Sequence, residues 1–402
     1  MNPNDQNNLM EELKEEQENN TSNVIQEAIS KYRNNSRSDN ELKDKLMKYL
    51  LIIAIVAVVI IVILFVFSNI ANGKKTYSDV EDIMINASKK YYTDNSSSLP
   101  KSNGGTVEVS VQNLVNNKYM KSLDKYIKNT SCTGKVVVEN NDDNYIYIPY
   151  LDCGSTYKTT ELYRKVTDKE NIVTSGNGLY SYSDGYVFRG DNVNNYVSIN
   201  DALWRIVKVT TDNEVVLTKQ DKGISISQPW DDRYNTDKGY NVGINDFNVS
   251  RLKDTLNSLY DDKEANLFSD DIKGHITSHN LCIGKRGYND NQGNECSVQS
   301  ESMKLGLLTV SDYIRASLDG SCVSAASESC QNYNYLVNEE YDWWLLTASN
   351  ENTYQAYYVN NYGKVDISNT SSGKKIRPVI YLNSKTMFTS GTGSSTDPYK
   401  IK

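Results

Sequence analysis

His275 and His279 are the only histidines in the chain, and their i, i+4 spacing would put both imidazoles on one helical face, half of a metal site. Gly274 before them and Thr277-Ser278 between them oppose that helix, and no Glu stands beside His275 as a metalloprotease requires. The expectation is two ordinary polar histidines and no catalytic or metal residue. Were the protein an enzyme acting on envelope polymers, His275, Asp231 and Asp232 would be its candidate groups. The run Asn289–Glu295 is rich in oxygen, like a calcium loop, but Gly293 stands where the EF-hand order needs a ligand. A solvated loop and no cofactor are therefore expected, with Ca2+ the alternative. No Gly-rich phosphate loop or serine-nucleophile elbow occurs, and a net charge of −8 gives no electrostatic reason to bind nucleic acid.

What remains is aromatic. Trp230, Trp343, Tyr354 and Tyr357, with Asn360, are the candidate ligand-binding residues, because Trp and Tyr suit both sugar stacking and protein interfaces. Along Tyr354–Val359 strand alternation separates Tyr354, Ala356 and Tyr358 from Gln355, Tyr357 and Val359. One set must face the core, and the pattern does not say which. Trp204, Trp344 and Arg377 read as structural, Arg377 as the anchor of a turn before Pro378.

The elements that must carry these residues begin with an apolar run. Tyr49–Phe67 is 19 residues without a charge, about 28 Å as a helix at 1.5 Å per residue, and reads as an uncleaved transmembrane signal anchor. Lys43, Lys45 and Lys48 flank it on the N-terminal side, and all six cysteines follow it. Positive charge inside and disulfides outside predict a single pass of the plasma membrane, N-terminus cytoplasmic and C-terminal part extracellular. Membrane lipid is accordingly an expected partner. Residues 1–47 are too polar to bury a core and are expected to be disordered.

Beyond the anchor, Tyr77, Val80, Met84, Ala87 and Tyr91 form one helical stripe, and Thr106–Val111 alternates as a strand. Lys135–Glu139 and Tyr145–Tyr150 are strands joined through Asn141-Asp142-Asp143-Asn144. With the hairpin centred between Asp142 and Asp143, Val138 faces Tyr147 and Cys132 falls opposite Cys153, which predicts a disulfide. Pro149 requires a sheet edge. Six cysteines allow 15 pairings. Nearest neighbours give Cys282–Cys296 and Cys322–Cys330, each closing a polar loop, with a swap between these two pairs as the alternative. Further strands are expected at Tyr186–Arg189, Tyr196–Ile199, Trp204–Val209, Val215–Thr218, Trp343–Thr347, Tyr354–Val359, Lys364–Ile367 and Ile376–Leu382. Helices are expected after Ser250, with Leu252, Leu256 and Leu259 on one face, and after Ser311.

Tyr186–Val209, with Trp343–Thr347, Ala356–Asn360 and Ile376–Leu382, resembles an uncharacterised extracellular domain family of Firmicutes-like bacterial surface proteins. Its members tend to end in a W-x-L, YYVN-x-x-G, R-P-x-x-x-L pattern. That family is similar to the C-type-lectin-like fold of formylglycine-generating enzymes. No cysteine here matches their reactive pair, so their activity is not implied. Gly391–Tyr399 resembles an ending common on such surface proteins, and residues 49–155 resemble a pilin without a prepilin cleavage motif.

The expected fold class is α+β: a single transmembrane helix, a small pilin-like α+β domain, then a disulfide-bearing lectin-like α+β domain. The expected layout is a tail (1–47), anchor (48–71), pilin-like stalk (72–155), linker (156–178), lectin-like domain (179–390) and C-terminal tail (391–402). The expected function is a non-catalytic, adhesin-like cell-surface protein whose ectodomain binds a glycan or protein. The alternatives are an envelope scaffold self-associating through the helix at Tyr77–Tyr91, and an envelope-polymer enzyme.

Overall fold

The computed structural model describes residues 22–30, 50, 53, 75–128, 131–141, 144–220, 224–263, 265–293 and 295–402. The chain divides into two compact units, Met1–Gly73 and Lys74–Lys402. In the first, residues 22–30 are helical and exposed.

The second unit opens with α1 (Tyr77–Asp94). Its first turn is closed by a capping box: Asp79 N donates to Thr76 Oγ1 at 3.1 Å and Thr76 N to Asp79 Oδ2 at 2.9 Å. Val80, Met84 and Ala87, three and four apart, are buried against a three-stranded antiparallel sheet. That sheet has the order β1 (Thr106–Ser110), β2 (Thr133–Asn141), β3 (Asn144–Asp152), and Ser110 caps the short α2 (Val111–Asn116). Val138 pairs with Tyr147 and Thr133 with Asp152. One step further, Cys132 and Cys153 are bonded with their Cα atoms 4.1 Å apart. Pro149 lies on β3, an edge strand, where its missing N–H leaves no gap in the ladder.

The larger part holds β4 (Thr160–Glu161), α3 (Leu162–Val166), β5 (Gly178–Tyr182), β6 (Gly185–Arg189), β7 (Tyr196–Ile199), β8 (Ala202–Val209), β9 (Val215–Lys219), β10 (Ile224–Pro229), β11 (Tyr234–Asn235), β12 (Tyr240–Asn241), α4 (Arg251–Asp261), α5 (Asp270–His275), β13 (Ile276–Thr277), β14 (His279–Cys282), β15 (Gln299–Met303) and α6 (Val310–Ala316). It continues with β16 (Trp343–Ala348), β17 (Gln355–Val359), β18 (Val365–Asn369), β19 (Gly373–Ile376), β20 (Val379–Leu382), β21 (Met387–Ser390) and β22 (Tyr399–Ile401). A ten-stranded sheet runs β13-β20-β9-β8-β7-β22-β21-β4, with β6 also on β8 and β5 on β6, and a five-stranded sheet runs β10-β19-β16-β17-β18. The stretch Ile376–Leu382, expected as one strand, is two. Arg377-Pro378 breaks it, and the chain crosses there from one sheet to the other. Arg377 is buried over the Trp343 ring, 4.6 Å to its centroid, and donates to Leu336 O at 2.7 Å and Lys219 O at 3.1 Å. All four tryptophans are fully buried in the shared core.

One expectation is corrected. The fold class included a single transmembrane helix, but no helix among the described residues is long and apolar enough to cross a membrane. The longest described helix, α1, carries Asp79, Glu81, Asp82, Lys89 and Lys90, charges that hydrocarbon excludes. The described chain is instead mostly β-sheet closed by disulfides. The expected span at 48–71 lies outside the described residues apart from Leu50 and Ile53. Segment 156–178, expected as a linker with a short strand at Thr159–Val166, contributes the two-residue β4 and then α3, with Leu162 and Val166 fully buried.

Candidate functional site

The local sequence explains how the main cavity is built. Thr309 caps α6 in a capping box with Asp312, which aligns Ser311, Asp312 and Arg315 on the short helix. Lys208 interrupts the apolar strand β8, and the Cys282–Cys296 bond closes the loop that holds Arg286 and Glu295. Together with Asp184, from the turn between β5 and β6, and Tyr381 on β20, these groups line a cleft of about 430 Å³. Its apolar lining includes Leu281, Leu307, Ile314 and Leu346.

Three ion pairs occupy the cleft at different depths. Arg286 and Glu295 lie 3.3 Å apart with side chains 2% and 3% exposed. Arg286 also donates to Ser311 Oγ at 2.9 Å and Asp290 O at 2.6 Å, while Ser311 Oγ donates to Glu295 Oε2 at 2.8 Å. Lys208 meets Asp312 at 2.8 Å, 28% and 14% exposed. Arg315 grips Asp184 with two bonds, 2.6 and 2.9 Å, on a half-exposed rim. Burial alone would raise the Asp312 carboxyl, but the Lys208 charge and bonds from Lys208 and Thr309 outweigh it and hold it below the usual range. Burial likewise opposes the Lys208 charge, and Asp312 reverses this and raises the ammonium. The Arg315 hydrogen bonds lower Asp184. The Lys208–Asp312 and Arg315–Asp184 pairs are thus ionised near neutrality. The energetic weights of the three pairs differ: the exposed rim pair contributes ~0–1 kcal/mol, whereas removing one partner of the buried Arg286–Glu295 pair costs ~3–5 kcal/mol.

The sequence candidates lie elsewhere. Trp230, Trp343 and Tyr357 are fully buried. Trp230 Nε1 donates to Leu345 O at 3.2 Å and the Tyr357 hydroxyl to Arg286 O at 3.0 Å. Tyr354 is half-buried with Lys238 Nζ 4.6 Å from its ring. Asn360 Oδ1 accepts the Tyr362 and Lys364 N–H groups at 3.0 Å each, which fixes a turn. None of the five lines the cleft. The two histidines do not share a helix face, because α5 ends at His275 and β14 begins at His279. His275 is buried against Thr386, and burial lowers it to about 4. His279 stacks on Tyr381, 4.0 Å between centroids, and sits 3.0 Å from Glu214. Asp231 accepts Ile244 N at 2.8 Å and Arg251 N at 3.1 Å, and Asp232 pairs with Arg251, so both brace the start of α4. In the oxygen-rich loop Asp290 accepts Gly287 N at 2.7 Å, and the Arg286 guanidinium stands where a cation would compete for Glu295. Among the described residues no group of three or more His, Cys, Asp or Glu could hold a metal ion.

Residues 242–384 match a family model described as "Domain of unknown function (DUF6273)". The matched stretch carries Arg286, Glu295, Asp312, Arg315 and Tyr381, whereas Asp184 and Lys208 come from outside it. No curated protein and no solved structure matches the chain. Sequence reasoning missed the cleft residues. The available signals were a lysine inside the apolar strand Trp204–Val209 and an arginine inside a cysteine-closed loop.

Proposed function

We propose that this protein is a recognition module that works outside the cytoplasm and holds a glycan or protein ligand in the cleft without transforming it. One observation carries the reading: the cleft is preformed and disulfide-walled, and its charged groups are committed to one another. The two cleft hydroxyls with carboxylate partners are both engaged in fixing the structure: Ser311 donates to Glu295 and accepts from Arg286, and Thr309 donates to Asp312 and accepts the Asp312 N–H as the helix cap. Three disulfides support an oxidising location. Self-association through α1 finds less support, since its apolar stripe is already covered by its own sheet.

The test is a glycan and protein binding screen of the full-length protein beside Asp184→Ala and Arg315→Ala. A ligand held by the parent and lost by both variants supports the reading. A ligand retained equally by all three would remove the cleft from consideration, and turnover of a bound polymer would overturn the non-catalytic assignment.

A further inference from the structure

We infer that the cleft selects a neutral, polyhydroxylated ring ligand, an oligosaccharide without acidic or basic groups, over any net-charged ligand. The inference rests on the cleft being the binding site. Its lining carries three cations and three carboxylates, each cation paired within 3.3 Å, so the charges cancel. An ionic ligand finds no net field to steer it, and wherever it displaces an existing partner it strands a charge in a partly buried site.

A sugar hydroxyl avoids this, because it donates one hydrogen bond and accepts two and can join a pair without opening it. Each Asp184 oxygen takes one bond from Arg315, so each retains acceptor capacity. Lys208 donates to Asp312 Oδ1 through one of its three N–H groups. The lining also carries aliphatic side chains, Leu281, Leu307 and Ile314. A lining that combines polar groups of both signs with aliphatic surface complements a ring whose faces are C–H and whose rim is O–H. The volume of about 430 Å³ lies in the range of small-molecule sites.

The experiment displays neutral hexose and N-acetylhexosamine oligomers, uronate oligomers, cationic de-N-acetylated oligomers, and acidic and basic peptides. Full-length protein is read against them at low salt and at ~0.5 M salt, where exposed charges are screened. The inference expects retention on neutral oligomers, less than ~2-fold change with salt, and at least ~10-fold weakening in Asp184→Ala and in Lys208→Met, each checked for an unaltered circular dichroism spectrum. Cleft-dependent binding to a uronate, a cationic oligomer or a charged peptide, with marked loss at high salt, overturns neutral selection and leaves the recognition reading standing. Binding to nothing displayed, or binding insensitive to both substitutions, overturns the recognition reading itself.

Discussion

Arg286 and Glu295 are nearly sealed from solvent, so their pairing is felt through what happens when it is broken. Glu295→Gln leaves the guanidinium buried without its counter-charge and is expected to lower stability by ~3–5 kcal/mol, read from the urea midpoint at unchanged slope. His275 makes a prediction of opposite chemistry. Burial holds it neutral in the folded protein, at about 4 against an ordinary 6.5, so the unfolded chain takes up a proton first as pH falls. The stability from this residue is complete above pH 6.5 and is lost progressively toward pH 4, up to about 3 kcal/mol. Thermal melts across that window should show the parent falling more steeply than His275→Asn; parallel curves would reject the assignment. At this scale the sequence was a poor guide to the site. Asp184, Lys208 and Arg315 lie far apart in the chain and share no periodicity, and only tertiary packing brings them together. Trp230 and Trp343 show the reverse: the side chains best suited to stacking on a ligand are also the largest apolar surfaces available to the core, and burial won.

Elements were more legible, because their signals are local. The stripe Val80, Met84, Ala87 is the buried face of α1, and Leu252, Leu256 and Leu259 are that of α4 behind its Ser250 cap. The register of the β2–β3 hairpin followed from turn chemistry and alternation, with Val138 facing Tyr147. The end of a strand was harder to read. Val111 continues the alternation of β1 yet begins α2, since Ser110 caps a helix there. Likewise α6 is capped by Thr309, two residues before Ser311. The Cys132–Cys153 bond closes a sequence separation of 21, and in the chain-entropy model such a loop is worth about 3 kcal/mol. The double variant Cys132→Ser, Cys153→Ser should lose about that much in a denaturant titration while keeping the circular dichroism of the folded sheet.

Across the whole of the second unit, the expected stalk, linker and distal domain are stitched together. Met387 of β21 packs on Ile146 and Ile148 of β3, and β21 pairs with β4. Lys385 pairs with Glu139, and Lys402 Nζ lies 3.0 Å from the fully buried Glu81 of α1. These contacts predict one calorimetric transition for residues 74–402; two well-separated transitions would show that the modules fold independently. Such joins are invisible to a linear reading, because they couple residues more than two hundred positions apart. The place of β22 adds a constraint on biogenesis. It lies between β7 and β21, parallel to β7, so synthesis from the N-terminus leaves the β7 flank bare until β22 itself has emerged. Closure of the large sheet therefore waits for residues 399–401, and a nascent chain stalled before Met387 would expose a raw β-edge to its neighbours.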